Sequence, residues 1–368
     1  MSPPGRPRQS ARCRLFDVAR FPKLRFASKK VEKSGDGRYR ISGDLTIRDV
    51  TRMNRRHAVK QLAALVTLLP PGCRRFGAGR GGAGGVNDEE STMSTTTAAA
   101  SGGNQTTKGG RMPVVFVGHG SPMNVIERNR WSEGFAALAE LLPRPKAILA
   151  ISAHWFVPGT YLTANATPKT IHDFSGFPPE LYEIHYRAPG SADLAGRVRQ
   201  LVGTQRAAMS TEWGLDHGTW SVLRWMFPAA DIPVVQLSID HRLDVRGHHE
   251  LGRSLAELRE EGVLVLGSGN IVHNLRDAFG RMQTGATDTP EWARRYDEST
   301  KAMLLQHDGQ ALVSLWPSSE HGRRAHPSPD HWLPLIYAQA ASDDRDRVTF
   351  PTEGFDLGSV SMRNVVFG

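Results

Sequence analysis

Cysteine is nearly missing: the chain of 368 residues has two, Cys13 and Cys73. Since none follows residue 73, the longer part of the chain can build neither a disulfide nor a thiolate metal site. Zinc-finger and cysteine-nucleophile chemistry are excluded there. Long apolar runs are missing as well. The strongest, within residues 53–73, spans about a dozen residues, is interrupted by Lys60 and is too short to cross a bilayer as a helix. A phosphate cradle is also lacking, because Gly79–Gly85 has no preceding strand and no following Lys-Ser/Thr pair. Ser121, after Gly118-His119-Gly120, lacks the flanking glycine pattern of a nucleophile elbow, so a serine hydrolase is a weak reading.

Acidic residues are scarce only at the front. Residues 1–111 hold 22 of the 46 Lys and Arg but 8 of the 37 Asp and Glu, a net of +14. Residues 112–368 carry 24 basic against 29 acidic residues, a net of −5. The basic excess therefore belongs to the leader, and a nucleic-acid partner for the whole protein is not supported.

Residues 1–52, rich in Arg, Gly, Ser and Pro, show no sustained period and are expected to lack regular structure. Residues 76–111 read as a flexible linker. Between them, Arg55-Arg56 before a short apolar run has the outline of a twin-arginine export signal. The other reading is an amphipathic helix in an upstream extension, with Met53 or Met112 as the start. The two readings imply a periplasmic or a cytoplasmic protein respectively, with no stable membrane span in either case.

The body, residues 112–368, begins at Met112. Pro113–Val117, Lys146–Ser152, Ile232–Ser238 and Gly262–Gly267 are short apolar runs that read as buried strands. Helix-like stretches lie between them at Trp131–Leu142, Ala192–Val202 and His248–Glu261. This alternation predicts one large α/β domain with a central, largely parallel sheet flanked by helices. In such sheets the site forms at the carboxyl ends of the strands.

Thirteen of the 14 histidines lie in the body. Three follow strands in small-residue surroundings: His119 between Gly118 and Gly120, His154 after Ser152-Ala153, and His273 after Gly267-Ser268-Gly269-Asn270. One sheet edge would gather them, and neutral imidazoles there suit iron, zinc and related divalent ions. His331, in a Pro-rich loop before an apolar helix over Leu333–Ala341, is a fourth candidate. His217, in Gly214-Leu-Asp-His-Gly-Thr-Trp220, reads either as an acid/base or substrate contact, or as a helix-start residue bonded to Asp216 or Thr219.

Gly118-His-Gly-Ser-Pro-Met-Asn124, Ser152-Ala-His-Trp155, Thr170-Ile-His-Asp-Phe-Ser-Gly-Phe-Pro178, Tyr186-Arg-Ala-Pro-Gly190, Gly214–Trp220, Ser268-Gly-Asn-Ile-Val-His-Asn274 and Pro329-Asp-His-Trp-Leu-Pro334 stand in one order. Together they resemble the class III extradiol ring-cleavage dioxygenases, nearest the 4,5-DOPA extradiol subfamily. The resemblance covers nearly the whole body and none of residues 1–111.

It implies a metal-dependent enzyme that opens a catechol ring with O2, using Fe(II) in catalysis, with Zn(II) able to occupy the site. His119, His154, His273 and His331 match the family's metal positions. The better-known members of the class use two histidines and a carboxylate. Here the matching positions are histidines with Asp330 and Asp216 nearby, so either His273 or His331 stays open between ligand and acid/base. His217 is expected as the acid/base. His172 is expected as a substrate contact or as a loop-ordering partner of Asp173. Trp155, Phe174, Phe177 and Trp220 are expected to form an aromatic wall. Two rivals use the same histidines, a zinc-dependent hydrolase and a non-enzymatic metal-binding protein.

Overall fold

The computed structural model describes the backbone of residues 25–34, 38–47 and 50–51, and residues 110–368 in full. The chain divides into two units, Met1–Glu89 and Glu90–Gly368. In the first, Arg25–Ser34 pairs antiparallel with Arg38–Ile47, which pairs in turn with Val50–Thr51. This differs from the expectation of no regular structure in residues 1–52. The signal for it is the period-two placement of Tyr39, Ile41, Leu45 and Ile47 in the second strand. The twin-arginine-like segment 53–73 lies outside the described residues.

In the second unit, eight strands form one sheet. They are β1 (Val114–Gly118), β2 (Ala147–Val157), β3 (Thr160–Thr163), β4 (Ala207–Ser210), β5 (Val234–Asp240), β6 (Val263–Gly269), β7 (Val348–Thr349) and β8 (Val365–Phe367). Their order is β7-β8-β1-β6-β2-β5-β3-β4. The central strands β1, β6, β2 and β5 are parallel, and antiparallel pairings occur towards the edges, β7 on β8, β8 on β1 and β3 on β5. The α/β class and the largely parallel sheet are as the sequence predicts.

Central parallel strands are covered on both faces, which is why they read as unbroken apolar runs. Alternate residues enter two cores. Phe116, Ile151, Leu237 and Val265 pack with Leu251 and Ile336. Val117, Ile148, Val234 and Leu266 pack on the other face with Phe135, Leu138, Trp220 and Leu223. The covering helices are α1 (Arg130–Glu140), α2 (Ala192–Val202), α3 (His217–Met226), α4 (Val245–Ser254), α5 (Leu275–Thr284), α6 (Glu291–Leu305) and α7 (Leu333–Ala340). All eight residues of α7 are buried, so its sequence, Gln339 apart, is apolar all round rather than amphipathic. The helix expected over His248–Glu261 starts earlier and stops at Ser254, where a short 3-10 turn over Ala256–Arg259 takes over.

Two glycines let backbone segments meet at the carboxyl edge. A Cβ on Gly269 would stand 2.3 Å from the His331 carbonyl oxygen, so only glycine lets the His331 segment lie against β6. Gly120 has φ +63°, a conformation glycine adopts freely, and turns the chain back after His119. Among the described residues no helix is long and apolar enough to cross a membrane.

Candidate metal centre

His119 follows the last residue of β1, and its backbone N–H donates to the Gly269 carbonyl at 3.1 Å. His154 departs from expectation: it lies inside β2, not in a loop beyond it. The pairing of β2 with β6 ends at Ser152 and its register with β5 breaks between Ile151 and Phe156. Such a break re-aims side chains. His217 is the first residue of α3, capped by Asp216, whose side chain accepts from the Thr219 N–H. His331 sits on the turn before α7, held against β6 by the Asn270 N–H donating to its carbonyl at 3.0 Å.

These four imidazoles converge. The ring centres of His119, His154 and His331 form a nearly equilateral triangle, with sides of 5.0, 5.1 and 5.2 Å. His217 lies 3.8 Å from His154 and 5.6 Å from His119. The ligand-capable atoms group as His119, His154 and His217 on one side and His273, Asp330 and His331 on the other, within 4.8 Å in each group. The His119–His331 and His154–His331 distances make these groups two halves of one site.

Hydrogen bonding fixes the tautomers. The Ser268 hydroxyl donates its only proton to the Gly218 carbonyl at 2.5 Å, so it can only accept from His119 Nδ1, 3.0 Å away. Asp173 Oδ2 accepts from His154 Nδ1 at 3.1 Å and from His217 Nδ1 at 2.9 Å. Asp330 accepts from His331 Nδ1. When neutral, all four rings thus carry their hydrogen on Nδ1 and turn Nε2 to the centre, the arrangement in which outer carboxylates and carbonyls orient metal-binding histidines.

A divalent ion fits this donor set. The Nε2 atoms of His119 and His154 stand 3.1 Å apart, and two bare lone pairs at that distance repel unless a cation or proton lies between them. With Zn–N bonds of about 2.0–2.1 Å, tetrahedral imidazole ligands have ring centres about 5 Å apart, matching the triangle. Burial and the neighbouring histidines hold His119 and His331 well below the ordinary histidine pKa, so both rings are neutral. Burial pushes His154 down too, but the Asp173 hydrogen bond and the charges of Asp216, Asp173 and Asp330 outweigh it and raise its pKa. The centre therefore favours positive charge.

Burial, reinforced by His154, pushes His217 down to about 4 despite Asp173. This corrects one expectation. Asp216 caps α3 and does not bond the His217 ring; Asp173 does, and the net shift is downward. The Asp173 carboxyl itself lies far below its usual range: burial would raise it, but hydrogen bonds from His154 and His217 prevail.

His273 is stacked on His331, 3.4 Å centre to centre. His172 stands outside the cluster: its Nε2 is 3.0 Å from the Ile184 carbonyl oxygen and its ring packs 5.4 Å from Trp220. It is therefore not the partner of Asp173. Of the expected aromatic wall, Phe174 lies edge-on to His217 at 5.4 Å and packs on Phe177. Trp220 is wholly buried and donates to the Ile171 carbonyl. Trp155 stacks on Trp213 at 5.4 Å, on the strand face opposite His154. Asp173 and Ser268 were not singled out from sequence. Asp173 stands next to His172 in the quoted motif, but nothing local distinguishes it from a loop carboxylate.

A family model described as the catalytic LigB subunit of aromatic ring-opening dioxygenase matches residues 114–368. A second, the YceI-like domain, matches residues 6–68. A 4,5-DOPA dioxygenase extradiol of Escherichia coli K12 is 46% identical over 262 residues, covering 70% of this chain and 95% of the relative. One from Beta vulgaris is 35% identical over 258 residues, covering 68% and 95%. A crystal structure of an uncharacterized Escherichia coli K12 protein superposes with a TM-score of 0.61 at 42% identity, covering 70% of this chain and all of that one.

Proposed function

Because the chain belongs to the family of catalytic LigB subunits of aromatic ring-opening dioxygenases, and is a metal-dependent extradiol dioxygenase, we propose that its substrate is a catechol of the L-DOPA class. The relatives' names, 4,5-DOPA dioxygenase extradiol, support that class. We assign residues 112–368 as the catalytic domain and place it in the cytoplasm; export would require residues 53–73 to act as a signal.

The observation that carries the reading is the convergence of four tautomer-locked imidazoles at one sheet edge. In it, His119, His154 and His331 hold one divalent ion through Nε2. Neutral nitrogen donors suit both Fe(II), which we assign to catalysis, and Zn(II). The bound ion supplies Lewis acidity toward the catechol oxygens and a route for electrons to O2.

The protein does the rest. His217, kept neutral by burial, offers its Nε2 lone pair to a catechol hydroxyl proton, while Asp173 steadies the imidazolium so formed. Phe174, edge-on to His217, gives the substrate ring an apolar wall. With Nε2 donating to Ile184, His172 keeps Nδ1 as an acceptor, and we assign it to the ammonium of the substrate's side chain. His273 becomes a fourth ligand only by turning out of its stack on His331.

The test is anaerobic loading of the metal-free protein with Fe(II), then oxygen-electrode traces with L-DOPA, dopamine, caffeate and simple catechol. L-DOPA should give the fastest uptake and a yellow product. Equal or faster turnover of the amine-free catechols would remove the L-DOPA assignment.

A further inference from the structure

We propose that Asp173 is a shared positioning residue, one carboxylate that orients a metal ligand, His154, and the acid/base His217 together. The proposal rests on the roles assigned above. Oδ2 takes the Nδ1 protons of both rings, at 3.1 and 2.9 Å. Oδ1 accepts the backbone N–H of His217 at 2.9 Å. The side chain is 16% exposed although its loop is open to solvent, so the carboxylate is turned inward and three donors converge on it.

The placement is built into the chain path. Thr170 and Leu215 form a parallel bridge. The Ile171 N–H donates to Leu215 at 2.7 Å and the Leu215 N–H to Lys169 at 2.8 Å. Asp173 comes three residues after Thr170 and His217 two residues after Leu215. The Trp220 indole N–H, donating to the Ile171 carbonyl at 2.8 Å, ties the same loop to α3. The loop thus delivers the carboxylate to the start of α3 and to His154 within β2.

An amide cannot replace this group. With the Asp173→Asn oxygen in the place of Oδ2, its NH2 meets the His217 N–H, donor against donor. Turned over, the NH2 meets two Nδ1–H donors. One or both imidazoles must then change tautomer and present Nε2–H, which can neither ligate nor accept a proton. A glutamate keeps all acceptors but shifts them by one methylene, so Asp173→Glu restores part of what Asp173→Asn loses.

Three measurements on the full chain test this. Zinc titration of the metal-free protein against a chromophoric chelator should show affinity lowered 10–100-fold in Asp173→Asn, the usual range for an outer carboxylate, and recovered in part in Asp173→Glu. His217→Ala should bind zinc within a few-fold of wild type. In NMR spectra of the zinc protein with nitrogen-labelled histidine, His217 should be the Nδ1–H tautomer in wild type and change in Asp173→Asn. With saturating Fe(II), Asp173→Asn should lower kcat more than it changes KM. Wild-type zinc affinity in Asp173→Asn would overturn the link to His154, and an unchanged His217 tautomer the link to His217. A wild-type protein that binds zinc but turns over no catechol would instead sink the proposed function, leaving the zinc and NMR results to judge Asp173 alone.

Discussion

The imidazoles of His273 and His331 lie face to face, 3.4 Å between centres and 6° between planes. A ring nitrogen binds an ion along its lone pair, in the plane of its ring. Two parallel rings this close cannot both point an in-plane lone pair at the same ion. His331 is the member of the pair 5.2 Å from His119 and 5.1 Å from His154. His331→Ala should therefore lose more metal than His273→Ala when both are purified with the same iron supply. Elemental analysis that finds His273→Ala empty and His331→Ala full would reverse the assignment.

His217 is the proton carrier in this account, not a required ligand. His217→Ala should keep its metal and lose about 10²–10⁴-fold in turnover, the usual scale for a general acid/base. Metal content and steady-state rates on one preparation decide it, and metal loss would make His217 a ligand.

Gly269 tests the scaffold. A methyl group there would press on the His331 carbonyl, which is part of the backbone and cannot rotate away. Gly269→Ala should cost about 1–3 kcal/mol of stability, the usual range for overpacking, and lower metal content by displacing His331. A variant with wild-type melting temperature and full metal would show that the approach is looser than described.

Acid stability has a contributor outside the histidine cluster. His248 is wholly buried, its Nδ1 3.0 Å from the Tyr337 hydroxyl. Burial pushes its pKa down to about 4, against the pull of Asp240 and Asp244. The unfolded chain takes up this proton near pH 6.5, the folded chain only near 4. Stability from the neutral ring is thus complete above about pH 6.5 and drains away as pH falls toward 4. Denaturant midpoints of the metal-free protein across that window should fall more steeply in wild type than in His248→Gln. Parallel pH profiles would contradict the account.

Much of the fold is legible because its signal is local. The central strands are unbroken apolar runs, α7, Gln339 apart, is apolar on every side, and His119 stands between glycines right after β1. The sequence reads His154 as a loop residue because the register break that frees it depends on β5, not on the residues around it. Asp173 reads locally as a partner of His172, because its actual partners lie 19 residues before it and 44 after it, brought together by the loop bridge to Leu215. Trp220 and Trp155 have the composition of a substrate wall, but burial and strand alternation turn them into packing. Spacing shows which residues have the chemistry; the pairing of distant strands and loops decides which of them meet.

The central claim is that this centre opens a catechol ring by inserting both atoms of O2. The most direct test is a single turnover of the Fe(II)-loaded protein with L-DOPA under isotopically heavy O2, quenched at once with borohydride so that the aldehyde oxygen cannot exchange, and read by mass spectrometry. The account predicts a ring-opened product carrying both heavy oxygens. A product with no heavy oxygen, or ring opening that proceeds without O2, would contradict it.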